Sequence, residues 1–314
     1  MYAAESQLAG ARKHFARLAL SRPSVGRFPS LPWIPNYCGS AAWHVDLLTC
    51  ESSQVANLAS AGRLDFSPMA TVDWLRMSAA WNRVGSWGIA FRGQAGSVLF
   101  FSDRPMEELD GADIAVCDET TTSVRVLEAI LTGKYGLRIG NWRRNVDVSD
   151  ARTPRLLIQN QAVEESQRRR FPFVYDLGRE WWSWQGTPIV SAVWVHRCEL
   201  DPMLVELQRQ RLEDAMVTYR KDPLLAIQKH LASERLQHSA EAIRALHQNF
   251  EYELGAESEA GIIRMREVLQ QDVTGFANAA AVDAAMARSL TAGSAAVSSS
   301  HDYGTDPPPP CAAT

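Results

Sequence analysis

Ile114-Ala115-Val116-Cys117-Asp118-Glu119-Thr120-Thr121-Thr122-Ser123-Val124-Arg125 is the stretch that decides how this chain folds. The apolar run Ile114 to Cys117 is too short for a buried helix and reads as a strand from about Asp113 to Cys117. The spacing that follows predicts a helix from about Thr122 to Thr132, closed by Gly133. A strand feeding straight into a helix is the repeating unit of α/β proteins. The first turn of such a helix has backbone N–H groups without intrahelical partners and a partial positive charge. Hydroxyls beside those N–H groups make a cradle for a carboxylate or a phosphate. Ordinary N-capping accounts for one hydroxyl. Four in a row make Thr120, Thr121, Thr122 and Ser123 candidate substrate-binding residues.

Working outward, strands and helices alternate from about Gly26 to Gly275. Ser52 to Ala61 reads as a short helix closed by Gly62, and Leu64 to Met69 as a short strand ending in a turn. Gly96 to Ser102 and Arg155 to Ile158 read as buried strands, Gln161 to Arg169 and Asp176 to Trp184 as helices, and Pro188 to Val195 as another strand. From Asp201 the pattern is helical, broken at Asp222-Pro223 and near Gly255. Two such blocks, with a strand and helices returning late, predict an α/β protein of two lobes, each a mixed sheet flanked by helices. The chain is expected to cross between lobes near Ser102-Asp103 and near Thr187 to Ser191. The corresponding division is an N-terminal extension at 1–24, the first part of lobe 1 at 25–102 and lobe 2 at 103–188. A return strand with C-terminal helices at 189–275 and a disordered tail at 276–314 complete it. In open α/β sheets ligands sit at the carboxyl ends of strands, which two lobes turn toward a shared cleft.

Composition narrows the function. The 314 residues are 46% apolar, ample for a large core. A net charge of −4 supplies no basic field for nucleic acid. The one basic run, Arg168-Arg169-Arg170, sits beside Glu164 and Glu165 and reads as a solvated helix end. No apolar run approaches ~18 residues, so no membrane span is expected. Arg12, Lys13, His14 and Arg17 interrupt Ala3 to Leu20, which reads as a short amphipathic helix or frayed extension rather than a secretory signal. Five cysteines without a CxxC pair argue against a disulfide framework or a zinc site and for a reducing compartment. The seven histidines show no ligand spacing, His44 and His196 included, and no nucleotide-binding or hydrolase motif occurs. No metal and no organic cofactor are expected. After Phe276 the chain is Ala-, Ser- and Pro-rich and lacks the apolar side chains to offset ordering.

Two further segments carry chemistry. Tyr175 to Trp194 holds Asp176-Leu177-Gly178, three tryptophans, then Gln185-Gly186-Thr187-Pro188. The tryptophans could line a ligand slot, though Trp at helical spacing is more often core. Gly186 and Pro188 predict a tight hinge into the following strand. In Gly62-Arg63-Leu64-Asp65-Phe66-Ser67-Pro68-Met69, Asp65 could position a ligand or cap the next turn.

Taken together these segments resemble the chorismate dehydratase family of the futalosine route to menaquinone, whose fold resembles type II periplasmic binding proteins. The family pattern G.LD..P matches Gly62 to Pro68. Its apolar strand with an internal serine matches Gly96-Ser97-Val98-Leu99, and its S..TSVRL helix start matches Thr120 to Val126. Its DLG..W...TGLPFVFAVW block, the most specific element, matches Asp176 to Trp194. The likeness spans about Phe28 to Phe276. The chain departs at Pro29, where the family has Asn, at Gln159-Asn160, where it has Gly-Asp, and at Gln185, where it has Thr.

The resemblance implies a cytoplasmic lyase that removes water from chorismate to give 3-enolpyruvylbenzoate. Its partner is a small anionic substrate, with neither nucleic acid nor membrane. It implies Ser97 and Asn160 as catalytic residues. It implies Ser97, Thr120, Thr121, Thr122, Ser123, Asn160, Gln185 and Gly186 as substrate-binding residues. The departures keep two other readings open. One is a non-catalytic or divergent small-carboxylate binder of the same fold. The other is a relative of the later naphthoate-forming enzyme of that pathway.

Overall fold

Eleven strands and nine α-helices, numbered in chain order, are found in the residues that the computed structural model describes, which are 14–21, 43–117, 121–144, 150 and 152–271. The strands form two sheets. The first has the spatial order β11 (Phe250–Glu253), β4 (Trp81–Phe91), β10 (Ile189–Arg197), β3 (Phe66–Ala70), β1 (His14–Ser21), β2 (Trp43–Cys50). There β1 runs parallel to β2 and β3, whereas β10 is antiparallel to β3 and β4. The second has the order β7 (Trp142–Arg143), β6 (Ile114–Val116), β8 (Arg155–Ile158), β5 (Val98–Ser102), β9 (Phe173–Asp176). There β6 is parallel to β7 and β8, and β5 is antiparallel to β8 and β9. Both sheets are mixed, and each is the centre of one lobe.

The helices are α1 (Val55–Ser60), α2 (Thr71–Met77), α3 (Thr122–Ala129), α4 (Gln159–Arg168), α5 (Leu177–Gln185), α6 (Pro202–Lys221), α7 (Pro223–Ser233), α8 (Ala240–His247) and α9 (Ala256–Gln271). Their starts follow local chemistry. Asp201 caps α6 by accepting from the Met203 N–H, with Pro202 in the first position, where its missing N–H does no harm. Asp222-Pro223 repeats the device and separates α6 from α7, as the sequence predicts. Gly62 has φ +65 and turns the chain after α1. Gly133 does not end its helix: the coil continues as a widened turn from Ile130 to Lys134. The glycine is there because a Cβ would lie 2.6 Å from the Trp184 ring.

Two boundaries move. Residues 14–21, expected in a helical or frayed extension, are a strand inside the first sheet. Ala16, Leu18, Ala19 and Leu20 are all buried, and Arg17 is drawn to Asp65, so tertiary pairing overrides a helix-prone composition. The first crossing lies between Phe91 and Val98, not at Ser102-Asp103, because β5 pairs with β8 and β9 in the second sheet. All five residues of β5 are buried, so no alternation in the sequence could assign it to a lobe. The second crossing falls between Gln185 and Ile189, overlapping the stretch Thr187 to Ser191. Pro29 and the expected tail lie outside the described residues.

Asp65 ties the first sheet together. Its carboxylate accepts from the Arg17 backbone N–H, Nε and Nη2 at 2.8, 3.0 and 3.0 Å, and lies 2.8 Å from Arg197 Nη2. Its contacts join β1, the turn before β3 and the end of β10. Burial favours the neutral acid, but the Arg17 hydrogen bonds and the Arg197 charge outweigh it, holding the carboxyl below its usual range. The folded group therefore titrates lower than the unfolded one. Its stabilisation is complete above roughly pH 4 and is lost as pH falls through the folded value. Asp65→Asn leaves two arginines against a neutral amide and is expected to cost roughly 3–5 kcal/mol. Urea midpoints from pH 7 to pH 3 check both points: the wild type should lose stability on acidification, and the variant should lose less.

Candidate functional site

The second sheet presents one edge on which several strand ends converge. Val98 lies opposite Ile158, Val116 opposite Leu156 and Leu99 opposite Asp176. The start of β5 and the ends of β6, β8 and β9 therefore share that edge. The end of β6 is level with Phe100, two strands away, and Ser97 lies three residues further along. At ~4.8 Å between strands and ~3.3 Å per residue, Ser97 sits roughly 14 Å from the end of β6. Two helices begin there, α3 after β6 and α4 after β8.

The α3 start is also where the lobes meet. Thr121 Oγ1 donates to Asp73 Oδ2 of α2 at 3.0 Å. Thr122 Oγ1 donates to the Ser191 carbonyl of β10 at 2.9 Å and accepts from the Val72 N–H at 3.5 Å. Two of the expected cradle hydroxyls thus join the second lobe to the first. Ser123 is buried in the first turn of α3, and Thr120 lies outside the described residues. What remains for an anion at this place is the helix start itself, with Ser123 beside it.

Ser97 immediately precedes β5. Its side chain is fully buried, and its hydroxyl has no hydrogen-bond partner among the described residues. Such a group is costly unless a ligand or water completes it. Its carbonyl accepts the Gln159 N–H at 2.7 Å, which ties Ser97 to the start of α4. Asn160, half-buried, is the second residue of that helix.

The Asp176-Leu177-Gly178 signature holds this serine in place. The Asp176 carboxylate accepts from the Ala95 and Gly96 N–H groups at 2.9 and 2.6 Å, and caps α5 by accepting from Arg179 N–H. Gly96 has φ +66, and a Cβ on Gly178 would lie 2.7 Å from Ala95 N. The motif therefore clamps the first crossing directly before Ser97. The tryptophans after it are packing groups: Trp181 is fully buried, edge-on to Trp184 at 5.9 Å.

Gln185 and Gly186 lie elsewhere. They end α5, which starts at the site edge and runs nine residues, or roughly 13 Å, away from it. Gln185 Oε1 accepts from Arg264 Nε at 2.7 Å, and Gly186 is the left-handed cap of the helix. Conversely, Thr71 and Asp73 are at the junction and were not expected. Thr71 is fully buried with an unpartnered hydroxyl among the described residues, one position before Val72. The available signal was a hydroxyl residue where a strand turns into a helix.

A family model described as menaquinone biosynthesis matches residues 23–271. The chain belongs to this family. Solved structures share its fold. Protein AF1704 from Archaeoglobus fulgidus matches with a TM-score of 0.66 at 13% identity, over 83% of this chain and 98% of that one. The periplasmic aliphatic sulphonate binding protein SsuA from Escherichia coli gives 0.59 at 12%, over 84% and 89%. The Candida albicans CA3427 gene product, described as having the generic periplasmic binding protein fold, gives 0.57 at 10%, over 82% and 89%. The menaquinone-family chain thus has the two-lobed periplasmic-binding-protein-like architecture. No helix among its described residues is long and apolar enough to cross a membrane.

The two hydroxyl types should respond oppositely to removal in the absence of ligand. Thr122→Val strips the Ser191 carbonyl of its partner and is expected to cost roughly 1–3 kcal/mol. Ser97→Ala deletes an unpartnered buried group and is expected to be neutral or stabilising by up to ~1 kcal/mol. Chemical denaturation of the two variants beside the wild type checks the contrast.

Proposed function

We propose that this menaquinone-family protein is a cytoplasmic chorismate dehydratase, a carbon–oxygen lyase that converts chorismate to 3-enolpyruvylbenzoate and water on the futalosine route. The observation that carries the reading is the fully buried Ser97 hydroxyl, without a hydrogen-bond partner among the described residues, on the same sheet edge as the α3 start. Chorismate has two carboxylates and a ring hydroxyl, and this edge offers two separate places for oxygen functions.

In this reading the α3 start and Ser123 hold one carboxylate. Thr121 and Thr122 contribute by keeping the lobes together over it. Ser97 donates to the leaving hydroxyl or to the second carboxylate, with Asn160 beside it. The ring C–O bond breaks with its electron pair on oxygen, a ring C–H proton is lost, and the pair left behind completes an aromatic ring. Hydroxide and proton leave as water, so the step is redox-neutral and needs no oxidant. A substrate carboxylate takes the ring proton, and the protein acts by orientation and by electrostatics in a closed site. Gln159-Asn160 in place of the family's Gly-Asp supports the second reading, a carboxylate binder without turnover.

Incubation of purified protein with chorismate, followed by mass spectrometry, should show loss of water and an aromatic absorbance. Ser97→Ala should lower turnover roughly 100-fold or more while leaving the fold intact. Chorismate binding without product at high protein concentration would identify the binder instead.

A further inference from the structure

Thr71 carries a hydroxyl that its place in the fold does not use. It is the first residue of α2, directly after the carboxyl end of β3. The cap position before it is Ala70, and no side chain caps this helix. The usual task of a hydroxyl at a strand-to-helix turn is therefore left undone. The Thr71 side chain is fully buried, and its Oγ1 has no hydrogen-bond partner among the described residues. A buried oxygen of this kind costs stability until something completes it.

The groups around Thr71, in contrast, are engaged across the lobes. The next residue, Val72, donates its N–H to Thr122 Oγ1 at 3.5 Å. The one after, Asp73, accepts from Thr121 Oγ1 at 3.0 Å. Ala70 of β3 lies opposite Ala192 of β10, which puts Ser191 across from Thr71. The Ser191 carbonyl accepts from Thr122 Oγ1 at 2.9 Å. Three hydrogen bonds between the lobes thus border Thr71. Covalent geometry keeps its hydroxyl within about 8 Å of Thr122 Oγ1, the hydroxyl that opens α3. Strands β1, β2 and β3 are parallel, so their carboxyl ends share one edge of the first sheet, and Thr71 stands on it. Such an edge is where α/β sheets take ligands. Each lobe therefore has one fully buried hydroxyl without a hydrogen-bond partner among the described residues at a sheet edge: Ser97 in the second, Thr71 in the first.

We propose that Thr71 is the substrate-binding hydroxyl of the first lobe: it donates to a carboxylate oxygen of a ligand whose charge rests at the α3 start of the second. The ligand class is a small carboxylate held from both sides of the lobe junction. This rests on the reading of the α3 start as a carboxylate site and extends that site to the opposite lobe. Affinity is then tied to closure, because a ligand that reaches only one lobe loses the other contact.

Two variants of the full chain isolate the hydroxyl. Thr71→Val removes it and keeps the side-chain shape, and Thr71→Ser keeps it. Without ligand, Thr71→Val should melt no more than ~2 °C below the wild type, because it deletes a group that meets nothing. A melting temperature more than ~5 °C lower shows a structural hydroxyl and overturns the proposal. Calorimetric titration with chorismate should give a Kd raised ~10-fold or more in Thr71→Val and within ~3-fold of wild type in Thr71→Ser. Wild-type affinity in Thr71→Val overturns the proposal, and so does equal weakening in both variants. If wild type gives no heat with chorismate, the dehydratase reading fails. Wild type and both variants are then titrated with benzoate, 3-hydroxybenzoate and prephenate. Weaker binding of one of these by Thr71→Val alone upholds the role of Thr71. Equal binding by all three proteins, or none by any, overturns it.

Discussion

One threonine hydroxyl holds the two lobes in register. Thr122 Oγ1 donates to the Ser191 carbonyl and accepts from Val72 N–H, and so links the start of α3 to β10 and to α2. The Thr121–Asp73 bond runs beside it. Both bonds are buried or nearly so, where an unmet partner is expensive. The anion-friendly end of α3 can face a ligand only while this junction holds. The geometry at the start of α3 therefore depends on contacts between the lobes.

A second constraint acts at the other end of the same sheet edge. Asp176 binds the Ala95 and Gly96 N–H groups, Gly178 lets the chain approach, and Ser97 follows immediately. The most recognisable motif of the sequence is thus a structural clamp whose output is the position of one hydroxyl. Gln159 closes the arrangement from β8 by bonding the Ser97 carbonyl. The bonded neighbours fix the backbone on both sides of a buried hydroxyl that has no hydrogen-bond partner among the described residues.

Legibility in the sequence followed the range of the interaction. Helix starts set by adjacent side chains, such as Asp201-Pro202, Asp222-Pro223 and Asp176, were readable because the capping group lies within three residues of its target. The strand-to-helix unit around Thr122 was readable for the same reason. Residues 14–21 were not, because Ala, Leu and Arg become a strand only through β2, β3 and Asp65. The lobe that owns β5 was also hidden, since a run buried on both faces has no alternation to read.

The sequence by itself determined the α/β class, the presence of two lobes and the family, because these rest on local periodicity and on contiguous motifs. Tertiary structure alone decided what each polar residue does. It committed Thr121 and Thr122 to the lobe junction, carried Gln185 to Arg264 at the far end of α5, and made Asp65 an ion-pair centre. It also left the Ser97 and Thr71 hydroxyls buried without hydrogen-bond partners among the described residues. The physical reason is that a hydroxyl, an amide or a carboxylate has the same chemistry at every position. Its role is set by the group that packing places within ~3 Å of it, and that group is usually distant in the chain.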